Sequence, residues 1–167
     1  MKEILNPNRC IYIFSLMKES KYRTVELPCA CASLRRAARA LTLQYQTELR
    51  PLGLHSTQFS ILQVLDRTKE ILQGNLGRIL ALDSTTLTRT LKIMLREGWI
   101  AERRGTDRRE RLIRLTEAGC KLLIVASERW QRAQERLRQE LGEARWRDLF
   151  SITNEVTSLT TREGELS

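Results

Sequence analysis

The chain has 167 residues, 29 Lys and Arg against 20 Asp and Glu, and a formal net charge of +9. That length suits one domain, or one domain with dimerisation arms, and 41% hydrophobic residues supply a real core, which excludes wholesale disorder. The positive balance points to a polyanion, either nucleic acid or an anionic membrane surface, and says nothing about fold.

The charge is uneven. It is +2 over residues 1–28, +3 over 29–70, +5 over 71–116 and −1 over 117–167. A polyanion is therefore expected at the middle of the chain. The longest apolar run, residues 10–17, is less than half of the roughly 20 residues a membrane helix needs. Lys18, Lys21 and Arg23 follow it at once with no clean cleavage site, so it is also a poor export signal. Leu27-Pro28-Cys29 is no convincing lipoprotein site. The reading is a cytoplasmic protein with reduced cysteines and no membrane partner. Residues 1–28 form an irregular tail closed by Pro28; Met17 is an alternative start that would make residues 1–16 an upstream extension.

Between Pro28 and Pro51 the apolar residues Leu34, Ala38, Leu41, Tyr45 and Leu49 recur at helical spacing, with Arg35, Arg36 and Arg39 off that stripe. Pro51-Leu52-Gly53 ends the helix. A second helix begins after Ser56 or Thr57, with Phe59, Leu62, Val64 and Leu65 as core candidates. A short third helix covers about residues 75–81. Asp83 is a good N-cap for the fourth, because its carboxylate accepts free backbone N–H groups and opposes the helix dipole. That helix buries Leu87, Leu91, Met94 and Leu95 and stops at Gly98. Residues 99–104 and 111–115 read as two short strands around a turn containing Gly105 and Asp107. Thr116 caps a long helix over residues 117–141, with Leu122, Ala126, Trp130, Ala133 and Leu137 on its apolar stripe. Gly142 breaks it. A last helix carries Trp146, Leu149, Phe150, Val156 and Leu159.

A short helix, a tight turn, a longer helix and a charged hairpin make a winged helix-turn-helix pattern in a mainly α fold. A helix fits the major groove of DNA, and residues at its N-terminal end reach base edges. Ser84, Thr85, Thr86, Thr88 and Arg89 occupy that end. A hairpin bearing Arg103, Arg104, Arg108, Arg109 and Arg111 reaches phosphates or an adjacent minor groove. The first and last two helices carry more apolar surface than a small winged domain can cover, which implies a homodimer.

With these residues in view, the sequence resembles the MarR family of bacterial regulators over roughly residues 29–159. Asp107-Arg108-Arg109, Ile113, Leu115-Thr116 and Gly119 fit the family pattern D-x-R-x-x-x-[V/I]-x-L-T-x-x-G. Residues 80–89 look like its recognition-helix region, and Pro51-Leu52-Gly53-Leu54 with Gln58-Phe59 like its second-helix entry. The resemblance implies a winged helix domain over residues 29–160. Dimerisation helices would lie in 29–55 and 117–160, a DNA-binding core in 56–116 and a tail in 161–167. It implies a homodimer on a pseudo-palindromic operator of double-stranded DNA, with Arg109 in the minor groove and Asp107 bracing the wing. The function implied is a transcriptional regulator, read as a repressor, released by a small ligand or by cysteine oxidation.

Cys29 and Cys31 open the first helix, where the dipole and the nearby arginines favour thiolate, the form that reacts with peroxides. By resemblance, Cys31 sits where the organic-hydroperoxide-sensing branch carries its reactive cysteine. That branch places tyrosines in the stretch matching residues 53–59, where this chain has Ser56 and Phe59. Cys120 is a candidate resolving partner, and Cys10 lies in the tail. On family grounds a small phenolic ligand is the other trigger, with Tyr45, Phe59 and Trp99 as candidate pocket residues.

Other classes fit worse. There is no P-loop, dinucleotide-binding glycine pattern, nucleophile elbow or zinc-protease helix, so no enzyme is expected. Cys29-x-Cys31 has an awkward metal spacing and only His55 is present, so neither metal nor cofactor is expected. The alternative is a dimeric interaction module with the same fold that no longer reads an operator.

Overall fold

The computed structural model describes residues 29–107 and 110–164. The chain divides into two compact units, residues 1–56 and 57–167. The described part of the first is helix α1 (Ala30–Leu49) followed by one 3-10 turn (Arg50–Leu52). Pro51 lies within that turn, and Gly53 closes it at φ +67°, with its N–H on the Arg50 carbonyl. Gln46 fastens the segment that follows: its amide donates to the Leu54 carbonyl at 3.1 Å and accepts from the Ser56 N–H at 3.2 Å. The apolar stripe expected on α1 is largely uncovered in this chain. Leu34 and Ala38 are exposed, Leu41 and Tyr45 are half-buried, and only Leu49 is buried.

The second unit runs α2 (Ser56–Thr68), β1 (Glu70–Leu72), α3 (Gln73–Leu80), α4 (Ser84–Arg96), β2 (Ile100–Arg104), β3 (Arg111–Leu115), α5 (Glu117–Leu141) and α6 (Glu143–Gly164). The strands form one antiparallel sheet in the order β1-β3-β2. β1 carries no recognisable signal in the sequence. It is only three residues long, too short to show alternation, and it leaves α2 through Lys69 at φ +62° rather than through a glycine. For the same reason α3 starts at Gln73, two residues earlier than its pattern suggests, with no side chain capping it. α6 continues to Gly164, past the expected end at residue 160, since no proline or glycine interrupts residues 143–163.

The core is made from α2, α3, α4, the sheet and α5. Ile61, Leu62, Leu65, Leu76, Met94 and Ile113 are fully buried. Removing each such side chain from water contributes about 1.5–3 kcal/mol. Phe59 packs on Trp130 of α5, with ring centroids 5.8 Å apart.

Two local devices hold α4 and α5 in place. Gly98 adopts φ +71° after α4 ends, and Trp99 N–H returns to the Met94 carbonyl at 3.0 Å. Thr116 then ties the wing to α5. Its hydroxyl donates to the Gly98 carbonyl at 2.6 Å and accepts the Gly119 N–H at 3.1 Å. Its own N–H donates to the Trp99 carbonyl at 3.1 Å. A Cβ on Gly119 would lie 2.0 Å from that carbonyl oxygen. Only glycine permits this approach, which explains T-x-x-G in physical terms. Gly119→Ala is expected to lower unfolding stability by roughly 1–3 kcal/mol, the usual cost of overpacking. Urea unfolding of the purified variant measures it, and an unchanged midpoint would show that the joint relaxes freely.

Candidate nucleic-acid interface

α3, the turn at residues 81–83 and α4 form a helix-turn-helix. Ala81 closes α3 in the left-handed region at φ +49°, and Leu82 N–H donates to the Gly77 carbonyl at 3.0 Å. Asp83 then starts α4. Its Oδ1 accepts the Thr86 N–H at 2.8 Å, and Oδ2 accepts the Thr86 hydroxyl at 2.6 Å. These bonds hold the Asp83 carboxyl below the usual carboxylate range, the Thr86 hydroxyl contributing most.

Leu87, Leu91 and Met94 turn one side of α4 into the core. Ser84, Thr85, Thr86, Thr88 and Arg89 are all exposed. Thr85, Thr88 and Arg89 stand three and four residues apart and so share one face. The five are not equally available. Thr86 is committed to the cap, and the Thr88 hydroxyl accepts from the Gln73 amide at 3.2 Å, which ties α3 to α4.

The wing shows the same division. Arg103 pairs with Glu70, and Arg111 Nη1 lies 3.1 Å from Glu102 Oε2. Arg104 is exposed and makes no ion pair among the described residues. Arg108 and Arg109 lie outside the described residues. The turn is closed by backbone: Gly105 N–H donates to the Glu110 carbonyl, and Glu110 N–H to the Asp107 carbonyl, each at 3.0 Å. Glu110 also places a carboxylate oxygen 3.5 Å from the Asp107 nitrogen. An open groove of about 730 Å³ runs between α3, the start of α4 and the wing, with Gln73, Arg78, Ser84 and Arg111 in its lining. Glu70, Gln73 and Glu110 take part in this arrangement without any signal in the sequence. Their partners are distant in the chain or are backbone atoms.

Tyr45 belongs to the first unit and is half-buried, and burial raises its pKa. Phe59 is 2% exposed, in the core against Trp130, and Trp99 is half-buried at the root of the wing. Cys29, Cys31 and Cys120 are exposed free thiols. Arg35 Nη2 lies 3.4 Å from Cys31 Sγ, one helical turn away. Cys10 lies outside the described residues. Among the described residues no group of three His, Cys, Asp or Glu could hold a metal ion, and no helix is long and apolar enough to cross a membrane.

Residues 54–110 match the MarR family. The chain is 33% identical over 84 residues to the uncharacterised HTH-type transcriptional regulator YwoH of Bacillus subtilis, covering 50% of this chain and 61% of that one. It is 37% identical over 93 residues to the organic hydroperoxide resistance transcriptional regulator of the same organism, covering 55% and 63%. The matches thus span about three-fifths of these curated relatives. Among solved structures, the transcriptional regulator MosR of M. tuberculosis in complex with DNA superposes with a TM-score of 0.73 at 33% identity. That match covers 80% of this chain and 97% of MosR.

The Asp83 cap generates a pH prediction. Its carboxyl titrates lower folded than unfolded, so its stabilisation is present above the unfolded carboxylate value and is lost as pH falls through the folded one. Acid is therefore expected to speed amide exchange at the start of α4, and Asp83→Ala to do the same at neutral pH. Hydrogen exchange read residue by residue checks both. Equal exchange in wild type and variant at neutral pH would remove Asp83 from this role.

Proposed function

We propose that this chain, which belongs to the MarR family, is a homodimeric transcriptional repressor. It binds a pseudo-palindromic operator in double-stranded DNA and leaves it when Cys31 is oxidised or a small ligand binds. The observation that carries the reading is the exposed face of Thr85, Thr88 and Arg89 at the capped start of α4, beside an arginine-bearing wing. It lies in the segment that holds +5 of the net charge. α4 offers side chains of the right length to base edges, and the wing offers cations to phosphate. By family resemblance Arg109 enters the minor groove and Asp107 braces the wing.

Oxidation is favoured as the trigger because a guanidinium stands beside an exposed thiol at Cys31. The similarity to an organic hydroperoxide resistance regulator supports the same choice. The thiolate attacks the peroxide oxygen, the O–O bond breaks, and Cys31 becomes a sulfenic acid. The alkoxide leaves and takes a proton from water as an alcohol.

Operator binding should weaken steeply with salt, because lysines and arginines displace counterions from phosphate. Arg89→Ala is expected to cost about 1–3 kcal/mol on the preferred duplex and to relax base preference at one position per half-site. A uniform loss across sequences would reduce Arg89 to a phosphate contact. Cys31→Ser should bind DNA normally and keep hold of it in cumene hydroperoxide. Gel shifts of reduced, oxidised and phenol-treated protein separate the triggers. If the serine variant is still released by the peroxide, Cys31 is not the sensor.

A further inference from the structure

Glu70 sits on the edge strand β1 among arginines. In register it lies opposite Arg114 of β3, yet its strongest partner is Arg103 of β2, two strands away. Arg103 stands opposite Leu112, so its guanidinium crosses β3 on the diagonal. The contact is a fork: Nε lies 2.9 Å from Oε1 and Nη2 lies 2.5 Å from Oε2. Nη1 also donates to the Arg104 carbonyl at 3.4 Å. A planar guanidinium meeting both carboxylate oxygens fixes direction as well as distance. The pair holds the Glu70 carboxyl below its ordinary range and raises Arg103.

Position sets this pair apart from an ordinary surface ion pair. β1 runs straight into α3, and Gln73 at the start of α3 holds Thr88 of α4. β2 is the first arm of the wing. The fork therefore joins the entry of the helix pair to the wing by a second route, separate from the Gly98-Trp99 connection. An acid beside the strongly basic segment also opposes phosphate, so a neutral residue would serve DNA attraction better unless Glu70 has a geometric task.

We propose that Glu70 and Arg103 form a strut that sets the angle of the wing to α4, so that one half-site meets both together. Glu70 is then a positioning residue for DNA recognition, and Arg103 is part of the scaffold rather than a phosphate contact. The proposal rests on the DNA-reading function above and deepens it. The two possible roles of Glu70 differ in sign. As a mere negative charge, its removal strengthens binding to every duplex. As a strut, its removal weakens binding to the preferred sequence alone, because attraction to phosphate does not depend on the angle of the wing.

The test uses the full chain and two duplexes, one selected by the wild type from a random library and one of scrambled sequence. Affinities are read by fluorescence anisotropy over a range of salt. Glu70→Gln is expected to lower affinity for the selected duplex about tenfold, the scale of one mismatched base pair. Binding to the scrambled duplex should hold or tighten. Arg103→Gln should lose the same preference without changing the salt slope. Arg103→Lys should not restore it, because an ammonium cannot make the fork, whereas Glu70→Arg combined with Arg103→Glu should. The strut is overturned if Glu70→Gln tightens both duplexes, or if both weaken in parallel as misfolding would cause. It is also overturned if Arg103→Gln lowers the salt slope by about one, the signature of a lost phosphate contact. If the wild type selects no sequence, the DNA-reading function fails and the strut with it. If it selects one and the variants match it, the strut alone fails.

Discussion

The contact between the Trp99 carbonyl and Gly119 is the constraint on which the rest of the second unit depends. Four elements begin or end around it: α4 at Gly98, β2 just after Trp99, β3 at Leu115 and α5 after Thr116. Thr116 satisfies the Gly98 carbonyl and the Gly119 N–H with one hydroxyl and the Trp99 carbonyl with its backbone. The absence of a side chain at Gly119 lets α5 sit against the root of the wing. Close packing of this kind transmits displacement rather than absorbing it. A shift at the start of α5 is therefore felt at once by the end of α4 and by the wing. This short joint connects the long helix to the elements proposed to meet DNA.

The net charge counts cations and says little about which are available. Arg103 and Arg111 already face carboxylates, and Thr86 and Thr88 already hold hydrogen bonds within the helix pair. Exposed ion pairs contribute little stability, so these contacts matter through the geometry they impose. Of the candidate DNA contacts among the described residues, Ser84, Thr85 and Arg89 of α4 and Arg104 of the wing remain exposed outside these bonds. A few unencumbered groups on a braced support suit base reading better than many loose ones, because little ordering remains to be done on binding.

Features with local causes were legible in the sequence. Asp83, Gly98, Thr116 and Gly142 mark helix ends because capping and left-handed termination act over a few residues, and the structure has all four at those ends. The long helix lies at residues 117–141 as its pattern indicates. β1 was not legible, since a three-residue strand has no periodicity and Lys69 takes a conformation that usually announces itself as glycine. The Glu70–Arg103 fork was not legible either. Its partners are 33 residues apart, and only the sheet order brings them together. The periodicity of α1 marked an apolar face correctly, yet periodicity cannot say what covers it. Arg108 and Arg109, which anchor the family pattern, lie outside the described residues.

The uncovered faces bear on assembly. Over residues 143–159, α6 has no buried side chain. Trp146, Leu149 and Phe150 follow helical steps along it, and Trp146 meets Phe150 edge-on at 4.9 Å. Phe150 is 45% exposed and Leu159 56%. An isolated helix is marginal in water, and most helical stability comes from packing an apolar face. A second copy of the chain is the partner proposed above for this face. Residues 117–167 carry net −1, so two such arms approach with little repulsion, whereas the segments at residues 71–116 carry +5 each and repel. In the proposed homodimer, pairing through these arms meets little charge repulsion and leaves the basic segments apart. The same uneven charge that supports a DNA partner is thus compatible with the proposed homodimer.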